Sequence, residues 1–186
     1  MKCLFNSSLY LSIILGLFIS ACSGGKSKDL RTLDYTHTQI DTSIRYDTRL
    51  EILSTIEAWR VSWENEELQK HSSFYANDAE IIKIGIVGGK EYRRHLSKDS
   101  LVVIVKLLNE RYKWMDIKIS GLQLRKHSET TVIAVFLQEF VAGVIEDQIT
   151  YTDLGIKRLV FRRYEDEWKI AYKDWRMYEK IPIFKN

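Results

Sequence analysis

The chain has 186 residues, 45% of them hydrophobic, 28% charged and 12% aromatic, with one proline and nine glycines. This is a globular composition, which excludes a disordered or collagen-like chain. Five Trp, ten Tyr and seven Phe predict a core or cavity lined with rings, because side chains of this size are seldom scattered over a surface without cause.

Chain order begins with an address. Met1 and Lys2 precede an apolar run from Leu9 to Ile19, broken by Tyr10, Ser12 and Gly16, and Ile19-Ser20-Ala21-Cys22 follows. The run is about half the roughly 20 residues of a spanning helix, and small residues before a cysteine suit a signal-peptidase pocket. The segment resembles a bacterial lipoprotein signal, which predicts cleavage before Cys22 and acylation of its sulfur and amine. Several acyl chains hold a protein at a lipid bilayer far better than one. Ser23, where an Asp would favour inner-membrane retention, points to the outer membrane, facing the periplasm. Residues 1–21 are thus read as signal, 22–46 as lipidated cysteine and tether, 47–178 as the folded domain and 179–186 as a tail.

Cysteine and histidine usage narrows the chemistry. Cys3 leaves with the signal and Cys22 would be acylated, so no disulfide and no thiol nucleophile are expected in the domain. His37, His71, His95 and His127 lack metal-ligand spacing, so no metal and no cofactor are expected. Without Lys2, 27 basic side chains face 25 acidic ones. That balance, together with export, argues against a nucleic-acid partner.

Asp47 is expected to cap a helix whose apolar stripe is Leu50, Leu53, Ile56, Trp59 and Trp63. A short second helix over Leu68 to Ser72, a turn at Asn77-Asp78 and a strand over Glu80 to Ile86 follow, closed by Gly88-Gly89. Ser97 or Asp99 then caps a helix to about Trp114. The rest is strand-rich. Apolar residues change parity from Ile117 and Ile119 to Leu122 and Leu124, which places a bulge at Gly121. Strands over Thr131 to Ala142, Thr150 to Arg163 and Glu167 to Trp175 complete an α+β order, helices first and then an antiparallel meander.

Pairing arithmetic supplies a site. A hairpin centred on Asp147-Gln148 sets Ala134 against Phe161, Phe136 against Leu159 and Gln138 against Lys157. A second hairpin, turning at Tyr164-Glu165, adds Trp168, Ile170 and Tyr172 to the same face. One face is then an apolar wall ending in Gln138, Lys157 and Tyr172, a set suited to orienting a carboxylate or a sugar. The opposite face, with Ile133, Val135, Leu137 and Val160, is too apolar for solvent, and a homodimer is expected through it.

Ile56-Glu57-Ala58-Trp59-Arg60-Val61-Ser62-Trp63 and Phe74-Tyr75-Ala76-Asn77-Asp78-Ala79 resemble the first helices of the nuclear transport factor 2-like (SnoaL-like) superfamily. Phe136-Leu137-Gln138-Glu139-Phe140, Asp153, Lys157-Arg158-Leu159 and Trp168-Lys169-Ile170 resemble the C-terminal domain of bacterial L,D-transpeptidase-type peptidoglycan enzymes. The resemblance implies a cone, a curved antiparallel sheet wrapped around N-terminal helices, as in cystatin-like rolls. It also implies a pocket contribution from Gln138, Lys157, Trp168 and Tyr75. With no thiol available, transpeptidase activity does not carry over. The expected function is a non-catalytic ligand- or protein-binding domain on an envelope lipoprotein, with a peptidoglycan fragment or an envelope enzyme as partner. The alternatives are a small-molecule isomerase, dehydratase or hydrolase, with Asp78 and His95 as the nearest acid–base candidates, or a structural dimerisation module.

Overall fold

The computed structural model describes residues 38–87, 90–146 and 148–181. The expected signal, Cys22, Gly88-Gly89, Asp147 and residues 182–186 lie outside them, and every described residue falls within Leu33–Asn186. The last part of the expected tether belongs to the fold. Strand β1 (Gln39–Ile40) pairs with Gln123 and Leu124, the Asp41 carboxylate accepts from the backbone of Ser43 and Lys126, and Ile44 is buried.

Helix α1 (Tyr46–Glu64) begins one residue before the expected cap. Arg45 occupies the N-cap without a side-chain cap bond, while Asp47, already inside the first turn, accepts from Thr48 N–H at 2.8 Å and from the Arg45 guanidinium at 2.6 Å. An acid there suits the positive end of the helix dipole. The buried stripe is Ile52, Ile56, Trp59 and Trp63, whose four-three-four spacing keeps one face inward; Leu50, expected in it, is exposed.

Helix α2 (Leu68–Ser73) leads into strand β2 (Tyr75–Val87), which runs through the expected turn at Asn77-Asp78. Its pairing shifts between Tyr75 and Glu80, so that segment is a bulge. Strand β3 (Lys90–Leu96) went unforeseen because every residue but Leu96 is exposed, leaving no apolar alternation to read. Helix α3 (Lys98–Arg111) is capped by Ser97, whose hydroxyl accepts from Ser100 N–H at 3.1 Å. It ends before the expected Trp114, because Tyr112 is already extended.

Strands β4 (Trp114–Ser128), β5 (Thr131–Gly143), β6 (Tyr151–Tyr164) and β7 (Glu167–Ile181) form the antiparallel meander. Gly121 carries φ +61 at a register shift in β4, as the change of apolar parity foretold. The sheet is mixed rather than wholly antiparallel. Its order is β1-β4-β5-β6-β7-β2-β3, with β2 parallel to β7 and β1 parallel to β4. The helices pack on one face of this curved sheet, and Ile52, Ile56, Trp59, Phe136, Leu159, Phe161 and Ile170 meet in the core between them.

Two register differences matter for the site. On β5–β6, Ala134 pairs with Leu159, Phe136 with Lys157 and Gln138 with Gly155. This is two positions from the expected register, and an even slip leaves every side chain on its expected face. On β6–β7, Phe161 pairs with Ile170 but Val160 pairs with Tyr172, leaving Ala171 as an extra residue. That single-residue bulge exchanges the faces of the residues after it as far as a second shift, between Leu154 and Gly155. Tyr172 turns outward, and Lys173 and Trp175 turn inward beside Leu159 and Lys157.

Candidate functional site

Helix α1 projects Trp59, Ser62 and Trp63 toward the sheet, α2 adds His71, β2 adds Tyr75, and β5, β6 and β7 add Gln138, Lys157, Lys173 and Trp175. All are buried except Trp175, which is half-buried. Lys157 Nζ lies 4.9 Å from the Trp59 ring centroid, 5.1 Å from that of Trp63 and 5.8 Å from that of Trp175. Lys173 Nζ lies 5.2, 5.3 and 5.1 Å from the same three rings. Both amines therefore occupy one indole cage. A third lysine, Lys83, is paired with Trp175 across β2 and β7 and lies 5.6 Å from its ring.

The hydrogen bonds inside the cage go to neutral groups. Lys157 Nζ donates to Gln138 Oε1 at 2.5 Å. Lys173 Nζ lies 3.0 Å from Tyr75 Oη, which also accepts from Trp59 Nε1–H at 2.8 Å. Of the nearby carboxylates, Asp174 pairs with Arg158 and Glu139 with Lys118, while the charge of Asp153 acts on Lys157. Burial drives the Lys157 pKa from 10.5 down to about 7, with the charge of Asp153 pulling it partly back. Burial, and then the charge of Lys157, push Lys173 well below the ordinary lysine range.

His71 completes the cage. Ser62 Oγ–H donates to Trp59 O at 2.7 Å, so its oxygen faces His71 Nδ1, 3.1 Å away, as an acceptor. This places the imidazole proton on Nδ1 and leaves Nε2 with a bare lone pair and no partner among the described residues. Burial and the charges of Lys173 and Lys157 lower the His71 pKa to about 3, so the ring is neutral. Trp63 Nε1–H is likewise buried without a partner among the described residues. An unpaired buried donor or acceptor costs about 1–3 kcal/mol.

Of the residues singled out from the sequence, Gln138, Lys157 and Tyr75 meet in this cage. Trp168 is buried nearer the β6–β7 turn and donates from Nε1 to Glu51 at 2.9 Å. Tyr172 lies on the outer face, its hydroxyl 3.1 Å from Arg158 Nη2, beside the Arg158–Asp174 ion pair. Asp78 and His95 are both exposed; Asp78 accepts from Tyr164 and His95 lies beside Glu80, so they form no acid–base pair. Lys173, His71 and Trp175 were missed. The signal for two of them was present, since apolar residues pass from even positions (Trp168, Ile170) to odd ones (Trp175, Met177), the same parity change that revealed Gly121.

No family model and no curated protein matches the chain. Solved structures do. A putative scytalone dehydratase from Novosphingobium aromaticivorans superposes with a TM-score of 0.60 at 10% identity, over 76% of this chain and 94% of its own. A nuclear transport factor 2-like protein of unknown function from Pseudomonas putida gives 0.56 at 15% identity, over 77% and 99%. The fold is nuclear transport factor 2-like. Bd1075 of Bdellovibrio bacteriovorus gives 0.55 at 20% identity, over 71% of this chain; the chain spans only 42% of that larger protein. At these identities the likeness concerns the fold.

Proposed function

We propose that this chain is an exported, lipid-anchored protein whose nuclear transport factor 2-like domain takes the carboxylate of a small ligand into the indole cage. One observation carries the binding part of this reading. Two buried lysines share a cage with neutral hydrogen-bond partners, and the Trp63 ring that both approach carries an N–H with no partner among the described residues. Burying an amine in an apolar cage is costly, and an anion entering the cage offsets that cost while giving the Trp63 N–H an acceptor. Lys83 and Trp175, at one side of this face, are both half-buried.

The lipobox-like run before Cys22 and the resemblance of the Phe136-to-Ile170 motifs support an envelope setting. There, carboxylate-bearing peptidoglycan stem peptides are the preferred ligands, and a homodimer through the outer sheet face is part of the proposal. Titration calorimetry with peptidoglycan fragments tests the reading. Binding by the parent, weakened by about 1.5–3 kcal/mol in Lys157→Met, is the expected result. Equal affinity in both, or none in either, removes the cage from function and leaves the structural-dimer reading ahead.

A further inference from the structure

Tyr75 reports the protonation state of its neighbour. A phenol has one proton and lone pairs to accept with. The Trp59 N–H fills one accepting position of Tyr75 Oη, and Lys173 Nζ is the other hydrogen-bond partner of that oxygen among the described residues. The phenol proton therefore has an acceptor only if Lys173 is a neutral amine with a lone pair. Lys157 differs, since its partner is a pure acceptor, Gln138 Oε1, and the charge of Asp153 favours its protonated form. A phenol proton with an acceptor thus goes with one free amine and one ammonium in the cage. Both lie about 5 Å from the centroids of the same indoles.

The geometry points to Lys173 as an amine nucleophile that forms an imine with a short 2-oxo carboxylate, whose carboxylate is held by Lys157 and Trp63 Nε1–H. This rests on the carboxylate-binding reading above and adds a covalent step to it. Desolvation in an apolar pocket beside a second cation is one of the ways an enzyme keeps a lysine amine free to attack a carbonyl. The Lys173 lone pair adds to the carbonyl carbon, and one N–H proton passes to the former carbonyl oxygen, giving a carbinolamine. The Lys157 ammonium then donates a proton to the departing hydroxyl, which leaves as water. The remaining N–H proton returns to Lys157, so the products are the imine and one water. No oxidant or reductant takes part.

The test uses the purified full chain with pyruvate and sodium cyanoborohydride at neutral pH, followed by peptide mapping by mass spectrometry. Calorimetry with pyruvate and with lactate, which has the carboxylate but not the carbonyl, runs in parallel. Expected are reductive labelling of Lys173 at least 10-fold above the exposed lysines, competition by lactate, and loss of that label in Lys173→Arg, which has no nucleophilic amine. The map of the parent protein decides the point even if that variant does not fold. Binding of both acids with no enrichment at Lys173 overturns the imine and leaves the carboxylate site standing. Binding of neither overturns both.

Discussion

At the scale of single residues, the buried bases set how stability follows pH. Lys157 has a folded pKa of about 7 against an ordinary 10.5, and His71 about 3 against 6.5. In each window the folded chain holds fewer protons than the unfolded one, so stability rises with pH. The Lys157 contribution is complete above 10.5, declines as pH falls, and is lost below about 7. The His71 contribution is lost in the same sense between 6.5 and about 3. Urea unfolding at a series of pH values is expected to show midpoints climbing from neutral pH to about pH 10, and a flat profile would refute the buried amines. Lys157→Met removes the cost of burying that amine. It should therefore stabilise the ligand-free chain at pH 7 by on the order of 1–3 kcal/mol and flatten the profile, while weakening ligand binding. Stability gained together with function lost is what distinguishes a site lysine from a structural one.

At the scale of elements, irregularities in the strands aim the site. The bulge at Ala171 turns Lys173 and Trp175 inward, and at a second register shift further along the same pair Gly155 lets β7 come close: a Cβ there would sit 2.4 Å from Arg176 O. Gly143 is similarly required, since its Cβ would meet Gln148 O at 2.1 Å and the Trp114 ring at 2.4 Å. Gly121 is a different case, with open space around a Cβ but φ +61. Gly121→Ala should cost only the left-handed backbone term, about 1–2 kcal/mol. Gly155→Ala meets rigid backbone and should cost more. Denaturant midpoints of the two variants give the comparison, and the reverse order would contradict the close approach of β6 and β7.

At the scale of the whole molecule, the outer sheet face joins half-buried Ile133, Val135, Leu137 and Val160 to the Arg158–Asp174 and Lys118–Glu139 ion pairs. The apolar strip is proposed to meet its counterpart in a second copy. Val135→Glu should then convert a dimer into a monomer in sedimentation, and a parent protein that stays monomeric at high concentration ends the idea. The proposed anchor is independent of this. Cys22→Ala should abolish palmitate labelling and release the protein from membranes or leave it uncleaved; labelling that persists in the variant would refute the lipobox.

Local signals were legible in the sequence wherever one residue type or one period decided the outcome. The tryptophan-bearing helix, a cap for α3 at Ser97 or Asp99, the Gly121 bulge, the meander strands and the placing of Gln138 and Lys157 on the inner face all followed from local pattern. The exposed strand β3, the parallel seating of β2 against β7 and the burial of His71 did not, since each depends on which distant segment lies alongside rather than on local pattern. The cage shows the division most clearly. Side-chain alternation in a strand has a period of two, so the two-position slip on β5–β6 left Lys157 facing inward, whereas the one-residue bulge at Ala171 exchanged Tyr172 for Lys173. The sequence by itself determined an α+β chain rich in rings, with a lysine and an amide on the concave face. Only the tertiary structure brought a second lysine under the same three indoles, because desolvation and the field of one amine on another exist only once the strands are in register.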